Sequence, residues 1–187
     1  DQSFREVDKD GKWYWTYGGD YGPKDVPSFG NFCCNGLVNA VREPHPHLLE
    51  VKKIYQNIKS TLIDKKNLTV RVKNWFDFSD LNEYILHWKV TGDDGTVLAE
   101  GNKEVACEPH ATVELTLGAV QLPKTIREAY LDLGWTRKKS TPLVDTAWEI
   151  AYDQFVLPAS GKVWNGKPSE AGKTTFEVDE NTGALKS

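Results

Sequence analysis

The residues best suited to chemistry stand between positions 33 and 47 of the 187-residue chain. One proline separates His45 from His47, just before a predicted helix, and Cys33 is followed directly by Cys34. A zinc site would need further ligands to converge, so we expect an ordered loop with one packed and one exposed imidazole. A thiol nucleophile paired with His45 would need an orienting acid, and no hydrolase motif accompanies it. With Cys107 the chain has three cysteines in no disulfide or metal pattern, which predicts buried free thiols.

Aromatic side chains crowd the segment from Trp13 to Tyr21, beside Gly18, Gly19 and Asp20. Flat rings stack on the apolar faces of sugars while carboxylates bind hydroxyls, so this segment is a candidate small-molecule site. The alternative, which composition favours, is that the rings pack the underside of a barrel. The glycines resemble part of a phosphate loop, but they neither follow an apolar strand nor open a helix.

The bulk composition is that of a soluble globular protein, with 39% hydrophobic and 27% charged residues. The net charge of −4 predicts no nucleic-acid surface, and we interpret the basic run 137–139 as a solvated turn. No apolar stretch approaches the roughly 20 residues that span a membrane, which leaves cytoplasm and periplasm as the candidate compartments. The chain begins with Asp1 and contains no Met, so we expect both ends to be boundaries within a longer protein.

Three parts of the chain differ in amino-acid composition and hydrophobic periodicity, and these differences predict the domain organisation. Residues 1–58 are rich in Gly, Pro and aromatics, whereas residues 59–159 alternate with the period of β-strands. Residues 160–187 open with a linker rich in Gly, Pro, Ser and Lys. In this last part, 175–178 predicts a strand and 179–183 a turn.

Local signals predict three elements in the first part. An Asp-Gly turn within residues 8–12 predicts a short hairpin. Residues 17–31 predict a long irregular loop, which is usually functional inside a compact domain. Pro46 suits the first turn of a helix that we expect over residues 46–56.

The middle part predicts a β-sandwich. Its alternating stretches are residues 68–75, 84–90, 96–100, 112–117, 129–135 and 147–156. About seven short strands with turn signals every 8 to 12 residues are typical of an immunoglobulin-like sandwich. The Cys-Trp-Cys hallmark of antibody domains is missing, so the prediction concerns architecture alone.

Four short stretches resemble, in order and spacing, the end of the catalytic barrel in family 2 glycoside hydrolases that are β-galactosidases: Tyr17–Gly22, Asn31–Val38, Pro44–Pro46 and Glu50–Lys52. Residues 59–158 resemble the immunoglobulin-like domain that follows that barrel, and Thr175 onward resembles the next β-sandwich. The resemblance therefore predicts a mainly β chain. An immunoglobulin-like β-sandwich is preceded by a partial TIM-barrel end (loops plus one helix) and followed by a short β tail.

The resemblance implies a parent enzyme that hydrolyses terminal β-galactosides with retention of configuration, using two glutamates. Both glutamates lie earlier in that barrel, so we assign no catalytic residue here and predict that this chain alone is inactive. The Asn82-Glu83 pair lacks the family's preceding glycine and is interpreted as a chance match. The implied partners are the rest of the parent chain, a galactoside substrate and a second copy of the enzyme; no substrate-binding residue is assigned.

Two residues carry over from the resemblance as sodium ligands. Phe32 stands where the family provides a backbone carbonyl, and Asn35 stands where it provides a side-chain amide. That sodium contacts the galactose 6-hydroxyl. Other ligands come from other segments of the parent, so we predict an incomplete site and no cofactor held by this chain alone. Magnesium is a second candidate ion in the parent. The loop over 23–30 is longer than in well-known members, and Phe29 replaces an expected acidic residue.

Two other functions stay open from the sequence: a non-catalytic carbohydrate-binding or adhesion module, and an architectural spacer. If the barrel is incomplete here, the rings of Trp13, Trp15, Tyr17 and Phe32 lose much of their cover. We therefore predict that this segment either folds back onto the sandwich or exposes an apolar patch that favours dimer contacts.

Overall fold

The computed structural model of the protein describes residues 3–30 and 32–158, together with the backbone of 177–178 and 185–186. Most of its regular elements are strands, as the sequence predicts. In chain order they are β1 (Phe4–Val7), β2 (Trp13–Thr16), α1 (Pro46–Tyr55), β3 (Ile58–Asp64), β4 (Thr69–Asn74), β5 (Tyr84–Gly92), β6 (Val97–Glu104), β7 (Thr112–Thr116), β8 (Ala129–Arg137), β9 (Glu149–Leu157), β10 (Glu177–Val178) and β11 (Leu185–Lys186).

A two-stranded hairpin opens the described chain, because an Asp-Gly turn joins β1 to β2. Phe4 pairs with Thr16 in antiparallel register. Asp8 Oδ1 accepts the backbone N–H groups of residues 10 and 12 at 2.9 and 2.8 Å, which closes the turn. The hairpin predicted around residues 8–12 is confirmed.

The loop that follows the hairpin is more regular than its composition predicts. It contains a 3₁₀ turn at Gly18–Tyr21, so the prediction of an irregular segment over 17–31 is wrong for these residues. The backbone N–H of Tyr17 donates to Asp20 Oδ2 at 2.9 Å, and this local side-chain bond stabilises the turn.

The predicted helix is confirmed as α1, which begins at Pro46 with His45 as its N-cap residue. A proline fits the first turn because its missing N–H would have no intrahelical partner there. No residue of α1 is fully buried, and Leu49 and Ile54 are 60% and 63% exposed. Part of the apolar face of α1 therefore points away from the rest of the described chain.

The strands β3 to β9 form a two-layer sandwich. One sheet has the order β3-β4-β7 and the other β6-β5-β8-β9, with antiparallel neighbours throughout. The predicted sandwich is confirmed, although the constant-type immunoglobulin arrangement places four strands in the first sheet and three in the second. The alternation pattern misses β3, because Ser60 and Asp64 dilute the apolar face that begins with Ile58.

Alternation along β5 and β8 builds the core between the two sheets. On β8, Leu131, Leu133 and Trp135 are at most 1% exposed, while the residues between them face outward. Every buried apolar side chain among the described residues lies between Ile58 and Leu157. The core is therefore the core of the sandwich alone.

The tail contributes one short antiparallel pair, in which β10 pairs with β11. The pair includes part of the strand predicted over 175–178. The predicted linker at 160–174 and turn at 179–183 lie outside the described residues. No helix in the described part of the chain is long and apolar enough to cross a membrane.

Candidate functional site

An open cleft of about 900 Å³ lies beside β1. Glu6 lines it from β1, Tyr17 and Gly18 line it at the start of the 3₁₀ turn, and Phe32 and Asn35 line it from the following loop. The structure thus brings both residues that the resemblance assigns to sodium into the wall of one cleft.

Tyr17 organises this wall. Its hydroxyl accepts the backbone N–H of Phe29 at 2.6 Å, and its ring meets the ring of Phe32 edge-on at 5.8 Å between centroids. Gly19 lies against the phenol so closely that an added Cβ would overlap it. This close approach accounts for the glycine at position 19 without a phosphate ligand.

A hydrogen-bonded trio ties the hairpin to the 3₁₀ turn. The hydroxyl of Tyr21 donates to Glu6 Oε1 at 3.0 Å and lies 2.5 Å from the hydroxyl of Thr16, which is buried. Glu6 is the only carboxylate among the described residues that line the cleft, and this bond engages one of its oxygens. Part of the aromatic segment is therefore held together by its own polar groups.

Asn35 is exposed, and its side-chain amide has no hydrogen-bond partner within the described part of the chain. The ring of Phe32 is 60% exposed. A free amide oxygen and a backbone carbonyl are hard donors that suit a hard cation such as Na⁺. No group of three or more His, Cys, Asp or Glu residues that could hold a metal lies within the described ranges. The donor set of the cleft therefore fits an oxygen-liking alkali ion better than zinc.

The cysteines of this loop are poor candidates for a nucleophile. Cys33 and Cys34 are half-buried and Cys107 is buried, so the prediction of buried free thiols is confirmed for Cys107 alone. Burial raises the pKa of the Cys33 thiol, and the neighbouring Cys34 and Asp20 raise it further. A raised pKa lowers the thiolate fraction at neutral pH, and the thiolate is the reactive form.

The two histidines share one acceptor. His45 Nδ1 and His47 Nε2 lie 2.7 and 3.1 Å from the carbonyl oxygen of Gly36, and their ring centroids are 5.4 Å apart. His45 is half-buried and His47 is exposed, as predicted for an ordered loop. Both histidines therefore support the chain next to Asn35, which their spacing in the sequence does not reveal.

A polar junction joins α1 to the sandwich. Asp153 Oδ1 accepts bonds from Lys53 Nζ at 2.6 Å and Gln56 Nε2 at 3.4 Å, and its other oxygen accepts the N–H of Ser60 at 2.8 Å. Gln56 is 7% exposed, and its carbonyl accepts the N–H of Tyr152 at 3.1 Å. Lys53 also lies 4.5 Å from the Tyr152 ring centroid. Sequence reasoning misses this junction because its partners lie far apart in the chain.

A second hollow, of about 760 Å³, lies on the outward face of the four-stranded sheet. Gly134 forms its floor between His87 and Tyr152, its two neighbours across the sheet. The ring nitrogens of His87 lie 2.6 Å from Asn102 Oδ1 and 2.9 Å from the hydroxyl of Thr136. His87, Asn102, Asp132 and Asp153 are each engaged by hydrogen bonds to other protein groups, so we interpret this hollow as a solvated sheet face.

The Asn-Glu pair and the basic run have structural partners in the sandwich. Glu83 ends the 3₁₀ turn Leu81–Glu83, and its carboxylate accepts Arg137 Nη2 at 3.0 Å. Lys138 is paired with Glu104 at 2.7 Å. These ion pairs account for Glu83 and for two residues of the basic run without a catalytic or phosphate-binding role.

Two family models match consecutive parts of the chain. The model for the TIM barrel domain of glycosyl hydrolases family 2 matches residues 1–60, and the model for domain 4 of β-galactosidase matches residues 70–158. The first match contains the cleft, both histidines and α1, and the second contains β5 to β9 and all of β4 except its first residue. The chain thus spans the junction between the barrel and the sandwich of a family 2 glycosyl hydrolase.

Curated relatives agree over most of the chain. A β-galactosidase of Klebsiella pneumoniae (strain 342) is 32% identical over 99% of this chain and 19% of its own length. One of Aeromonas hydrophila is 35% identical over 85% of this chain and 15% of its own length, and one of Priestia megaterium is 35% identical over 99% and 18%. The two family models together match most of the chain, which belongs to glycosyl hydrolase family 2, and these relatives are β-galactosidases. The chain spans about a fifth of the length of these relatives or less.

Proposed function

We propose that this chain is part of an enzyme that hydrolyses terminal β-galactosides with retention, and that both catalytic glutamates lie outside these residues. The observation that carries the proposal is the agreement over 99% of the chain with a β-galactosidase at 32% identity. A retaining enzyme needs two carboxyl groups about 5 Å apart. Within the described residues the cleft offers Glu6 alone, so the chain supplies a rim of the sugar site and not its chemistry.

Asn35 and Phe32 are the residues proposed to bind sodium at this rim, through the side-chain oxygen of Asn35 and the backbone carbonyl of Phe32. The free amide of Asn35 and the position of both residues in one cleft support the assignment. A bound sodium would supply positive charge that orients a sugar hydroxyl. Because these two donors cannot complete a coordination shell, the remaining ligands come from elsewhere in the enzyme.

The sandwich is proposed to act as a support that fixes the barrel end. Its core is complete within the described residues, and it holds α1 through Asp153. The exposed rings of Trp13 and Phe32 are proposed to be covered by the rest of the enzyme chain. Assembly of the enzyme as a homo-oligomer is a separate expectation, which sedimentation of the full-length protein tests.

The function is tested with the product of the complete gene. We expect hydrolysis of a nitrophenyl β-galactoside, with no comparable rate on the β-glucoside or β-glucuronide, and retention of the anomeric configuration by NMR. The isolated chain should show no turnover. Sub-millimolar binding of galactosides by the isolated chain in calorimetry would instead favour a carbohydrate-binding module, and a full-length product without galactosidase activity would exclude the proposal.

The sodium assignment is tested in the same full-length protein by replacing Asn35 with Ala. We expect a higher sodium concentration for half-maximal activity when choline replaces Na⁺ at constant ionic strength. Asn67→Ala is the matched control, because Asn67 is also exposed but bonds to Asp64 in the sandwich. An equal sodium response in the two variants would remove Asn35 from the site.

A further inference from the structure

We propose that His45 and His47 are positioning residues: together they hold the Gly36 carbonyl and thereby fix Asn35 at the rim of the cleft. The inference rests on the proposed function for its link to sodium. It gives a role to His45 and His47, which are not among the residues proposed to bind sodium, Phe32 and Asn35. It also explains why the two imidazoles converge without forming a metal site within the described residues.

The geometry requires both imidazoles to donate. A carbonyl oxygen only accepts, and its two lone pairs can receive two N–H groups. Gly36 receives His45 Nδ1 at 2.7 Å and His47 Nε2 at 3.1 Å, so the first ring carries its hydrogen on Nδ1 and the second on Nε2. The two rings therefore use opposite nitrogens on a single acceptor, which fixes both ring orientations.

Asn35 is anchored on both sides through its backbone while its side chain stays free. On one side, the backbone N–H of Cys34 donates to the hydroxyl of Ser3 at 2.8 Å. On the other side, the two imidazoles hold the Gly36 carbonyl. In addition, the backbone N–H of His45 donates to the Leu37 carbonyl at 2.9 Å. Because the backbone on both sides of Asn35 is already fixed, ligand binding has to order the side chain of Asn35 but little of the loop backbone.

The histidine pair is itself held by the helix that follows it. His45 is the N-cap of α1 and His47 lies in its first turn, so both rings are attached to the N-terminal end of this helix. At the other end of α1, Lys53 and Gln56 bond to Asp153 of β9. A continuous series of contacts thus runs from the sandwich through α1 to the cleft rim.

Full-length enzyme with single substitutions tests the inference. His45→Phe and His47→Leu keep the bulk and remove the donors, while His45→Asn and His47→Gln place an amide N–H near the original nitrogen. Loss of a residue that holds a metal ligand in place typically weakens metal affinity about 10- to 100-fold. We therefore expect the sodium concentration for half-maximal activity to rise about tenfold in His45→Phe and in His47→Leu. The second pair should recover most of this loss.

Two readouts are needed, both with choline replacing Na⁺ at constant ionic strength. One is the sodium dependence of KM and kcat for a nitrophenyl β-galactoside, in which KM should rise at low sodium and recover at saturating sodium. The other is the sodium-induced rise in the thermal unfolding midpoint, which needs no substrate and should shrink in His45→Phe and His47→Leu. The control is His110→Asn, since His110 pairs with Asp77 in the sandwich and has a positive φ of 60° that Asn tolerates.

Each outcome separates the inference from the function it rests on. If the unsubstituted enzyme cleaves galactosides and responds to sodium, but His45→Phe and His47→Leu keep its half-saturating sodium, the positioning role is wrong. Equal losses in the amide variants and the apolar variants would also overturn it, since donor chemistry would then be irrelevant. An unsubstituted enzyme without galactosidase activity contradicts the proposed function instead, whatever the variants do in thermal unfolding.

Discussion

The N-terminal region and the sandwich differ in whether their apolar side chains are buried or exposed. Residues 58–157 bury a continuous core, while the described residues before Ile58 bury only Ser3, Thr16 and Gln56, all polar. In the same N-terminal region, Trp13 and Phe32 are 54% and 60% exposed. Trp13 and Phe32 are exposed as the second of the two predicted outcomes requires, whereas Trp15 and Tyr17 are half-buried. A continuous apolar patch and dimer contacts through it stay predictions.

The difference shows which part of the chain is stabilised by a hydrophobic core of its own. A sandwich that contains its whole core gains its stability locally, because hydrophobic burial scales with the apolar area removed from water. The N-terminal region instead keeps hydrogen-bonded turns and an anchored helix while its rings face outward. This is the state expected of a segment from a larger barrel, whose rings are covered by other strands and helices.

The largest expected effect contrasts two leucines. Leu133→Ala in β8 should lower the free energy of unfolding by about 3 kcal/mol, because it leaves a cavity in a closed core. Leu49→Ala on α1, where the side chain is 60% exposed, should change it by less than about 0.5 kcal/mol. Urea denaturation of the chain measures both values. Similar losses would mean that α1 buries Leu49 in solution, and the contrast between the two regions would fail.

A buried amide gives the next effect within the sandwich. Asn74 is fully buried, and its amide donates to the carbonyls of Ser79 and Cys107, each at 2.9 Å, while its oxygen accepts the N–H of Phe76 at 2.9 Å. Asn74→Ala should cost about 2–3 kcal/mol in urea denaturation, because the Ser79 carbonyl and the Phe76 N–H lose their partner and the Cys107 carbonyl keeps only the N–H of Leu81. Asn67→Ala, on the surface, serves as the reference, and an equally small loss at Asn74 would contradict its structural role.

The junction between the two regions is expected to give an intermediate effect. Asp153→Asn removes the charge that Lys53 faces, and the partial exposure of Lys53 limits the loss to about 1 kcal/mol. Amide hydrogen exchange should show faster exchange in α1 and little change in β8. Asp132→Asn is the control, since Asp132 bonds to Gln154 on the outward sheet face. Unchanged protection of α1 would show that the helix is held by something other than this junction.

Thiol reactivity sharpens the comparison without a change of sequence. Burial and then the neighbouring Cys34 raise the pKa of the Cys33 thiol above its ordinary value. The midpoint of its alkylation rate against pH should therefore lie above that of a free cysteine, as measured by iodoacetamide labelling and mass spectrometry. A midpoint below that of free cysteine would reopen a nucleophilic role for the loop.

The smallest effect concerns a turn of the sandwich. The Asn67 amide holds the pKa of Asp64 below its usual range, helped by the N–H groups of Lys66 and Asn67. A carboxyl with a lowered folded pKa contributes stability that is present above its unfolded pKa and lost as pH falls through the folded pKa. Asn67→Ala should therefore move the Asp64 titration, followed by NMR, to higher pH. If the titration of Asp64 does not move in this variant, the lowered pKa is due to the backbone N–H groups of Lys66 and Asn67 alone.

Much of the fold is predictable because its signals are local. The Asp-Gly turn predicts the first hairpin, Pro46 predicts the start of α1, and alternation predicts β5 and β8. The pattern fails at β3, where Ser60 and Asp64 occupy the inward face, because periodicity requires contrast between the faces. It also fails at Gly18–Tyr21, where one side-chain bond from Asp20 makes a turn that composition does not show.

The candidate site divides in the same way. Family motifs mark Phe32 and Asn35, and the fold places both at one cleft. The contact of His45 and His47 with the Gly36 carbonyl cannot be predicted from the sequence, because every residue has a backbone carbonyl and no side-chain type indicates which one is bound. Cys33 and Cys34 were expected to be buried with Cys107, but they lie half-buried in a loop that lacks a core of its own.

The sequence by itself determined the strand periods, the turn at Asp8, the helix start at Pro46 and the family to which the chain belongs. Each of these depends on residues close together in the chain, where side-chain type and backbone preference act directly. Only the tertiary structure decided that Asp153 meets Lys53 and that two imidazoles share one carbonyl. Such contacts form when elements distant in sequence pack together, so their geometry follows from the whole fold and not from any local pattern.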